Sequence, residues 1–264
     1  MRLALWQTTG HLADKAKNLV ALSRIATAAA AAGAELLLCP ECWLGGYNAV
    51  QSGLAETMEG PSYATIAGIA RENNLAIVYG FAERDGEMVY NSAIAIGPDG
   101  ARLGLYRKLH LFGDFERREY TAGSAFMPPF NYRGWKIGLL ICYDVEFPEA
   151  VRHVALVGAE LVLIPTALSL EYGCVPGAIV PARAVENQIY VGYCNHAGVE
   201  DGLAYLGGSC LAGPDGRVLA AAGVGETLLL ADISKDTLHE AAKLFPYRRD
   251  RRPEIYNQQD HSKI

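Results

Sequence analysis

Two segments of the chain repeat the pattern of an apolar strand that ends on a proline. Residues 34–40 read AELLLCP, and residues 159–165 read AELVLIP. The turn sequence Gly-Pro-Asp-Gly also occurs twice, at residues 97–100 and at residues 213–216. Similar units at similar spacing indicate an internally duplicated architecture, although two unrelated α/β units can share such a pattern by chance. The repeat predicts that both halves of the chain build the same arrangement of strands.

Strand and helix patterns alternate along the chain. An apolar stripe between Asp14, a candidate N-cap, and Gly33 predicts a long helix. The dipeptide Asp85-Gly86 between two strand-like runs is a strong hairpin signal. Strands that alternate with helices, together with long hairpins, predict an α/β protein in which two mixed sheets pack face to face with helices outside.

The composition indicates a globular protein with a large core. Hydrophobic residues make up 51% of the 264 residues, which is too many for a disordered chain. We expect a single domain over residues 1–246, followed by a tail or arm over residues 247–264. The net charge of −6 gives no general basic field, so a nucleic acid is not an expected partner.

The first residues read as a strand and lack the long apolar region of a signal peptide. No uninterrupted apolar run approaches the length that spans a bilayer. The six cysteines are scattered along the chain, as is usual in a reducing compartment. These features predict a cytoplasmic protein without a membrane partner.

Cys39 and Cys42 form a Cys-Pro-Glu-Cys motif, which has the spacing of a redox site or of half a zinc site. A zinc site needs a second close pair of ligands, which the other cysteines do not supply. A thioredoxin-type site needs a helix that starts at the motif, but Gly45 and Gly46 interrupt the next turn. A redox protein that uses Cys39 and Cys42 is therefore kept as an alternative, and no metal ligand is assigned. Three further cysteines are expected in the core: Cys174, Cys194 and Cys210.

Three reactive side chains lie where predicted strands end. Glu41 follows the strand of residues 36–39, Lys108 follows the strand of residues 103–106, and Cys142 ends its own strand. Sites in open α/β sheets form just beyond the carboxyl ends of the strands. A carboxylate, an ammonium and a thiol at one such edge can act as the base, the oxyanion stabiliser and the nucleophile of acyl transfer. His110 is an alternative base, although a histidine in this position is more often structural.

Cys142 lies where the apolar run of residues 137–141 stops, and a helix is expected beyond Pro148. At such a turn we expect the thiol to be exposed near the positive end of a helix dipole, which favours the thiolate. The alternative is that Cys142 is a small buried hydrophobic residue.

Three separated motifs in the same order resemble the nitrilase, or carbon–nitrogen hydrolase, superfamily. They are Cys-Pro-Glu at residues 39–41, Tyr-Arg-Lys-Leu-His-Leu-Phe at residues 106–112, and Ile-Cys-Tyr-Asp at residues 141–144 with Phe-Pro-Glu at residues 147–149. The resemblance covers nearly the whole chain. It implies a four-layer α-β-β-α sandwich of two mixed sheets with an internal pseudo-twofold, and a Glu-Lys-Cys triad.

The resemblance assigns a role to each member of the triad. Glu41 is the implied general base, Lys108 the oxyanion stabiliser and Cys142 the nucleophile, and the backbone N–H of Tyr143 is implied in the oxyanion hole. Many members of the superfamily carry a second glutamate shortly after the lysine. Glu116 fits that role best, with rivals in the same run: Asp114 and Glu119. The implied chemistry needs no metal ion and no organic cofactor.

The residues that follow the nucleophile separate reaction types within the superfamily. Tyr143-Asp144 is similar to the amidase branches, in particular the group of 5-aminopentanamidases and stereoselective amidases, whereas true nitrilases usually have Trp-Glu. The expected reaction is hydrolysis of a small aliphatic or ω-amino primary amide to the acid and ammonia through a cysteine thioester. Hydrolysis of an N-carbamoyl amine or N-carbamoyl amino acid is the alternative reaction. A different class of function, a binding module without catalytic activity, is a further alternative.

Further residues are expected at the substrate pocket and at a subunit interface. Tyr47, Thr166 and Ala167 follow strands that face the same site, so we expect them, with Tyr143, to line the substrate pocket. The basic run of residues 248–252, flanked by tyrosines, is either a solvated tail or, as we expect, an arm that packs on a second subunit. A homodimer or a higher homo-oligomer is therefore predicted.

Overall fold

The computed structural model describes residues 1–49 and 51–256. Within them the chain forms strands β1 Arg2–Gln7, β2 Leu36–Leu38, β3 Ala76–Asp85, β4 Met88–Ile96, β5 Arg102–Arg107, β6 Phe130–Tyr132, β7 Trp135–Leu139, β8 Leu161–Pro165, β9 Tyr190–Cys194, β10 Val199–Glu200, β11 Leu203–Ala204, β12 Cys210–Ala212, β13 Val218–Ala221 and β14 Thr227–Asp232.

The α-helices are α1 Lys15–Ala31, α2 Gln51–Leu54, α3 Pro61–Asn73, α4 Gly113–Glu119, α5 Pro148–Leu156, α6 Val180–Asn187, α7 Lys235–Leu244, α8 Tyr247–Asp250 and α9 Pro253–Tyr256. Two short 3₁₀ segments, Cys142–Glu146 and Leu170–Tyr172, and a π-helical turn, Val175–Ile179, lie between them.

Two six-stranded sheets have the same internal plan. The first has the order β14-β1-β2-β3-β4-β5, and the second has the order β6-β7-β8-β9-β12-β13. In each sheet three consecutive parallel strands, β1 to β3 or β7 to β9, continue into two antiparallel strands, and one further antiparallel strand closes the opposite edge. The repeated Gly-Pro-Asp-Gly turns join β4 to β5 and β12 to β13. The predicted duplication is therefore confirmed, and chance likeness does not account for it.

The two sheets stack on each other, and the alternation of side chains along β1 shows how. Leu3 and Leu5 belong to the core that the two sheets share. Ala4 and Trp6 point the other way, into a second core that the first sheet forms with α1 and α3. Helices α5 and α6 cover the outer face of the second sheet. This is the expected four-layer α-β-β-α sandwich.

The predicted helix cap and the predicted hairpin turn are both present in the structure. The side chain of Asp14 accepts a hydrogen bond from the backbone N–H of Lys17 and caps α1. Asp85 and Gly86 begin the tight turn between β3 and β4, and Gly86 has a φ of 58°. This left-handed backbone is the conformation that the turn requires and that glycine adopts without strain.

The prediction for the three further cysteines is right for Cys194 and Cys210, which are buried, and wrong for Cys174, which is exposed. Cys174 immediately precedes the π-helical turn, in a surface segment without regular alternation of apolar residues. No periodic pattern marked that segment, so burial of its cysteine could not be read from its neighbours.

The arm predicted from the basic run is only partly described. Arg248 packs on its own chain, where it donates to the side-chain oxygen of Gln188 at 3.1 Å and to the carbonyl of Ala155 at 3.3 Å. Residues 257–264 of the predicted tail or arm lie outside the described residues. The oligomer and the domain limits stay predictions. None of the helices in residues 1–49 and 51–256 is long and apolar enough to cross a membrane.

Gly80 in β3 marks a close approach between the first sheet and the segment that follows β2. A Cβ atom at this position would lie 2.4 Å from the backbone nitrogen of Cys42 and 2.7 Å from the Cα atom of Glu41. Both contacts are to backbone, which cannot rotate away. The N–H of Gly80 donates to the carbonyl of Pro40 at 3.2 Å, and the N–H of Leu44 donates to the carbonyl of Gly80 at 3.2 Å. Only glycine leaves room for this crossing.

We predict that Gly80→Ala lowers the free energy of unfolding by about 1–3 kcal/mol, because the added methyl group overpacks a rigid contact. Gly68→Ala is the matched control, since Gly68 lies inside α3 and a Cβ there meets nothing within 4 Å. That control should stabilise the protein by about 0.5–1 kcal/mol through helix propensity. Urea unfolding of both variants measures the difference, and equal effects of the two substitutions would contradict the close approach.

Candidate active site

The loops that follow β2 and β5 bring two oppositely charged side chains into contact. Lys108 Nζ donates to Glu41 Oε1 at 2.7 Å and to Glu116 Oε1 at 2.6 Å. All three side chains are fully buried. The predicted meeting of Glu41 with Lys108 is therefore present, and a second carboxylate completes an ion cluster with two negative groups and one positive group.

Of the three carboxylates that the sequence left open, Glu116 is the one that contacts the lysine. Helix α4 presents Glu116 inward, whereas the side chain of Asp114 on the same helix is fully exposed. Glu119 pairs instead with Arg118, whose side chain is exposed. Which of the three carboxylates contacts Lys108 is therefore decided by the face of helix α4 that is buried.

Glu116 also holds two groups at the edge of the site. Its Oε1 accepts from the hydroxyl of Tyr47 at 2.7 Å, and its Oε2 accepts from the backbone N–H of Phe112 at 2.7 Å. Both groups belong to segments that line a cavity beside Cys142. The carboxylate therefore connects the buried ion cluster to the wall of that cavity.

The backbone of Glu41 is fixed from the second sheet. The N–H of Glu41 donates to the carbonyl of Thr166 at 3.4 Å. The carbonyl of Glu41 lies 2.7 Å from Nε2 of the buried His196, which must donate because a carbonyl can only accept. The residue that carries the carboxylate is thus held between the two sheets.

The side chain of Glu41 has one satisfied and one free oxygen. Oε1 accepts from Lys108 and from Asn91 Nδ2, the latter at 2.7 Å, while Oε2 is buried without a hydrogen-bond partner among the described residues. Burial raises the pKa of the Glu41 carboxyl to about 7, against the opposing effects of Lys108 and Asn91. A carboxyl with such a pKa and a free oxygen can both take and return a proton near neutrality.

Lys108 keeps its charge in this buried position. Burial alone would lower the pKa of its ammonium group, but the negative charges of Glu41 and Glu116 outweigh burial and raise that pKa well above the ordinary value. Its backbone is also in register with β4, because the N–H of Lys108 donates to the carbonyl of Asn91 at 2.8 Å. The site therefore contains a fixed cation.

Cys142 lies on a tight turn between β7 and α5. Its φ of 44° places it in the left-handed region, which is rare for a residue with a side chain. Asp144 stabilises the turn, since its carboxylate accepts from the backbone N–H of Ile141 at 3.1 Å, from the hydroxyl of Tyr106 at 2.8 Å and from the backbone N–H of His110 at 3.0 Å. The strained residue is thus held by a buried carboxylate.

The expected thiolate is not what the surroundings of Cys142 favour. Cys142 is only 8% exposed. Burial and the charge of Glu41 raise the pKa of its thiol well above the ordinary value, whereas Lys108 and the backbone N–H of Ala167 work to lower it. The thiolate predicted from the helix dipole is wrong for two reasons: a 3₁₀ turn separates the thiol from α5, and the effect of burial on the thiol pKa exceeds that of the neighbouring positive groups. The thiol is neutral until a base takes its proton.

A cavity of about 70 Å³ adjoins Cys142. Its wall includes three of the four residues expected to contact substrate, namely Tyr47, Tyr143 and Ala167. Thr166 is fully buried behind this wall, where it binds backbone groups. The other residues of the wall are mostly apolar or aromatic: Phe112, Glu146, Leu168, Ser169, Tyr172 and Leu203.

His110 supports the turn of Cys142. Its Nδ1 lies 2.7 Å from Asp144 Oδ1, and its ring stacks on Phe147 with a centroid distance of 3.9 Å. Both contacts of the imidazole ring are with residues of the segment that begins at Cys142, which agrees with a structural role for His110.

The redox alternative for Cys39 and Cys42 finds no support in their surroundings. Both thiols are free and buried, and Cys42 Sγ lies 3.2 Å from the hydroxyl of Tyr120. Burial raises the pKa of both thiols, which disfavours the thiolate that disulfide exchange needs. In the part of the chain that the structure describes, no three His, Cys, Asp or Glu side chains group as they would around a metal ion.

Sequence reasoning missed two polar residues of the site, Asn91 and Glu146. Asn91 lies within β4 and is almost completely buried. Asparagine is depleted in strands, so its presence in the run from Met88 to Ile96 was a usable signal. Glu146 ends the 3₁₀ turn that starts at Cys142, and a turn of this kind was not expected there.

Comparisons with known proteins agree with this geometry. The family model described as carbon–nitrogen hydrolase matches residues 2–243. A hydrolase of Pseudomonas protegens is 44% identical over 262 residues, which cover 97% of this chain and 91% of that protein. An (R)-stereoselective amidase of a Pseudomonas species is 38% identical over 256 residues, which cover 96% of this chain and 92% of that protein.

A solved amidase from Nesterenkonia sp. AN1 has a similar structure. With butyramide bound, it is 37% identical, with a TM-score of 0.88 and coverage of 98% of this chain and 97% of that chain. Another structure of that amidase contains the acetamide moiety of fluoroacetamide added covalently at the active-site cysteine. The chain described here belongs to the carbon–nitrogen hydrolase family of the nitrilase superfamily and is a hydrolase of carbon–nitrogen bonds.

Proposed function

We propose that the protein hydrolyses a small primary amide, aliphatic or ω-amino, to the carboxylic acid and ammonia through a thioester on Cys142. One observation carries the proposal. The buried cluster of Glu41, Lys108 and Glu116 lies within electrostatic reach of a neutral thiol that opens into a small cavity. A base, a fixed cation and a nucleophile are the groups that acyl transfer requires.

Attack begins with proton transfer from Cys142 to Glu41. The free Oε2 of Glu41 is the acceptor, and its pKa of about 7 suits a base that works near neutral pH. The sulfur adds to the carbonyl carbon, and the carbonyl oxygen becomes an oxyanion. Lys108 and the backbone N–H of Tyr143 stabilise that charge, which is worth most in a buried site.

Collapse of the tetrahedral intermediate breaks the carbon–nitrogen bond. Glu41 returns the proton it took to the leaving nitrogen, so ammonia departs neutral and a thioester remains on Cys142. Water then enters, Glu41 takes one of its protons, and the oxygen attacks the thioester carbon. The same proton returns to the sulfur as the acid leaves, and the site regains its starting state.

Glu116 acts as a positioning residue in this scheme. It shares Lys108 with Glu41 and holds the hydroxyl of Tyr47 and the N–H of Phe112. With two carboxylates around it, Lys108 stays charged throughout and does not compete with Glu41 for the proton. The ammonium is therefore available for the oxyanion.

The cavity favours a small substrate. Its volume of about 70 Å³ is far below the ~300–1,000 Å³ of pockets that hold drug-sized ligands. Ammonia is a leaving group that such a space can release. The butyramide bound by the Nesterenkonia amidase is a primary amide of similar scale, which supports this substrate class for the present chain.

We predict that Cys142→Ala lowers ammonia release from primary amides by about 10⁴-fold or more, because the covalent step is removed. Cys174→Ala is the matched control, since Cys174 is exposed and forms no part of the cavity. The assay compares a panel of primary amides, carbamoyl compounds and nitriles. Turnover that survives the loss of Cys142 would refute the thioester, and carbon dioxide released with ammonia would point to the carbamoyl alternative.

We predict that kcat/KM falls about tenfold for each pH unit below about 7, since the protonated Glu41 cannot take the thiol proton. Asn91 donates to Glu41 and so lowers its pKa. Asn91→Leu should therefore shift this acid limb to higher pH. The measurement is the pH profile of kcat/KM for both proteins, and a limb near the ordinary glutamate pKa, or one that moves to lower pH in the variant, would contradict the assignment.

A further inference from the structure

Glu146 is the acidic residue in the wall of the cavity beside Cys142, and the proposed mechanism does not use its carboxylate. It is the last residue of the 3₁₀ turn that Cys142 begins, and it lines the cavity beside that cysteine. Its side chain is half-buried and forms no hydrogen bond or ion pair with the described residues. A carboxylate in this position needs a partner or water.

The nearby arginine does not supply that partner. Arg183 donates through Nε to the carbonyl of Val145 at 2.9 Å, through Nη2 to the carbonyl of Glu146 at 2.9 Å and through Nη1 to Glu186 Oε1 at 3.2 Å. These bonds fix the backbone of the turn. They leave the carboxylate of Glu146 free to face the cavity.

Aromatic rings stand on the same wall as this carboxylate. Phe112 packs edge-on against Tyr143 with a centroid distance of 5.1 Å and against Tyr172 with a distance of 5.7 Å, and all three rings line the cavity. Ring faces attract cations and add to the effect of a carboxylate. An anionic group among aromatic rings is a usual way to recognise an ammonium group.

The electrostatic surroundings of Glu146 favour the binding of a cation. Burial raises the pKa of its carboxyl above the ordinary value, and the charges of Lys108 and Arg183 only partly oppose this. Neighbouring side chains therefore compensate the negative charge of the ionised carboxylate only in part. A cation that entered the cavity would relieve the cost of burial.

We propose that Glu146 is a specificity-determining residue that binds a protonated amine at the end of the substrate remote from the amide. This inference rests on the proposed amidase function. The backbones of Cys142 and Glu146 are separated by four residue steps of a 3₁₀ turn, about 8 Å along its axis, a distance that roughly four or five methylene groups cover. The preferred substrate is then a short, unbranched ω-amino amide.

The same carboxylate works against acidic substrates. A carboxylate group at the far end of the substrate would lie near Glu146, and like charges in a partly buried site repel each other. The cavity wall contains no arginine or lysine among the described residues to offset this repulsion. N-carbamoyl amino acids are therefore poor candidates, whereas amides with a terminal amine fit.

The test compares two amides of the same shape, 5-aminopentanamide and hexanamide, which differ by an ammonium in place of a methyl group. Wild-type protein should show the higher kcat/KM for 5-aminopentanamide. In Glu146→Gln the ratio of the two kcat/KM values should fall by about 10- to 100-fold, the range expected for a lost charged hydrogen bond. The loss should appear mainly in KM, because the ammonium is distant from the reacting carbonyl.

Two further variants sharpen the result. Glu149→Gln removes the same charge from an exposed position three residues along, and it should keep the wild-type ratio. Glu146→Lys reverses the charge of the wall and should give measurable turnover of glutaric acid monoamide, which carries a carboxylate. Thermal melts of each variant establish that it is folded.

The outcomes separate the two proposals. If wild-type protein released ammonia from neither amide, the proposed function itself would fail. If it hydrolysed both amides but Glu146→Gln left the ratio of their kcat/KM values at the wild-type level, only the role of Glu146 would be overturned. An equal loss for both amides in Glu146→Gln would also overturn that role, since it would indicate general damage to the site.

Discussion

A lysine ammonium buried between two carboxylates is the interaction on which the rest of the structure depends. Lys108 contacts Glu41 and Glu116 at 2.7 and 2.6 Å, and none of the three side chains reaches solvent. Removal of one partner from such a group typically costs about 3–5 kcal/mol, because a buried charge is left uncompensated. The loops after β2 and β5 and helix α4 must therefore be held in place together. The fold achieves this with backbone contacts such as those around Gly80.

The duplicated architecture explains where these groups come from. The first sheet supplies Glu41 and Lys108, and the second supplies Cys142 together with the cavity wall around Ala167. Each residue follows a strand, and the strand ends of the two stacked sheets meet at one edge. The two halves share a plan but have diverged in chemistry, so that one provides the base and the cation while the other provides the nucleophile.

Much of the fold and part of the site were predictable from the sequence, and the features that were not predictable have physical causes. The repeat and the hairpin turns are local signals, and they correctly gave two similar mixed sheets. Glu41 and Lys108 were identified because each lies just beyond the end of a predicted strand. Two features of the site could not be predicted from local patterns. The choice of the carboxylate that contacts Lys108 depends on which face of helix α4 is buried. The hydrogen bond from Asn91 to Glu41 depends on how the strands are paired. The thiolate expectation for Cys142 failed for a related reason, because a dipole can be inferred locally whereas burial cannot.

Glu41 and Thr166 occupy equivalent positions of the repeated segments, and the N–H of the first donates to the carbonyl of the second. The thiol of Cys194 crosses the same interface, toward the carbonyls of Trp6 and Leu38 at 3.4 and 3.3 Å. The two sheets are therefore hydrogen-bonded to each other near the axis that relates the two halves of the chain. They cannot slide over each other without breaking these bonds. With the sheets held in this way, substitutions in the surface loops can alter access to the cavity without displacing the side chains that lie between the sheets.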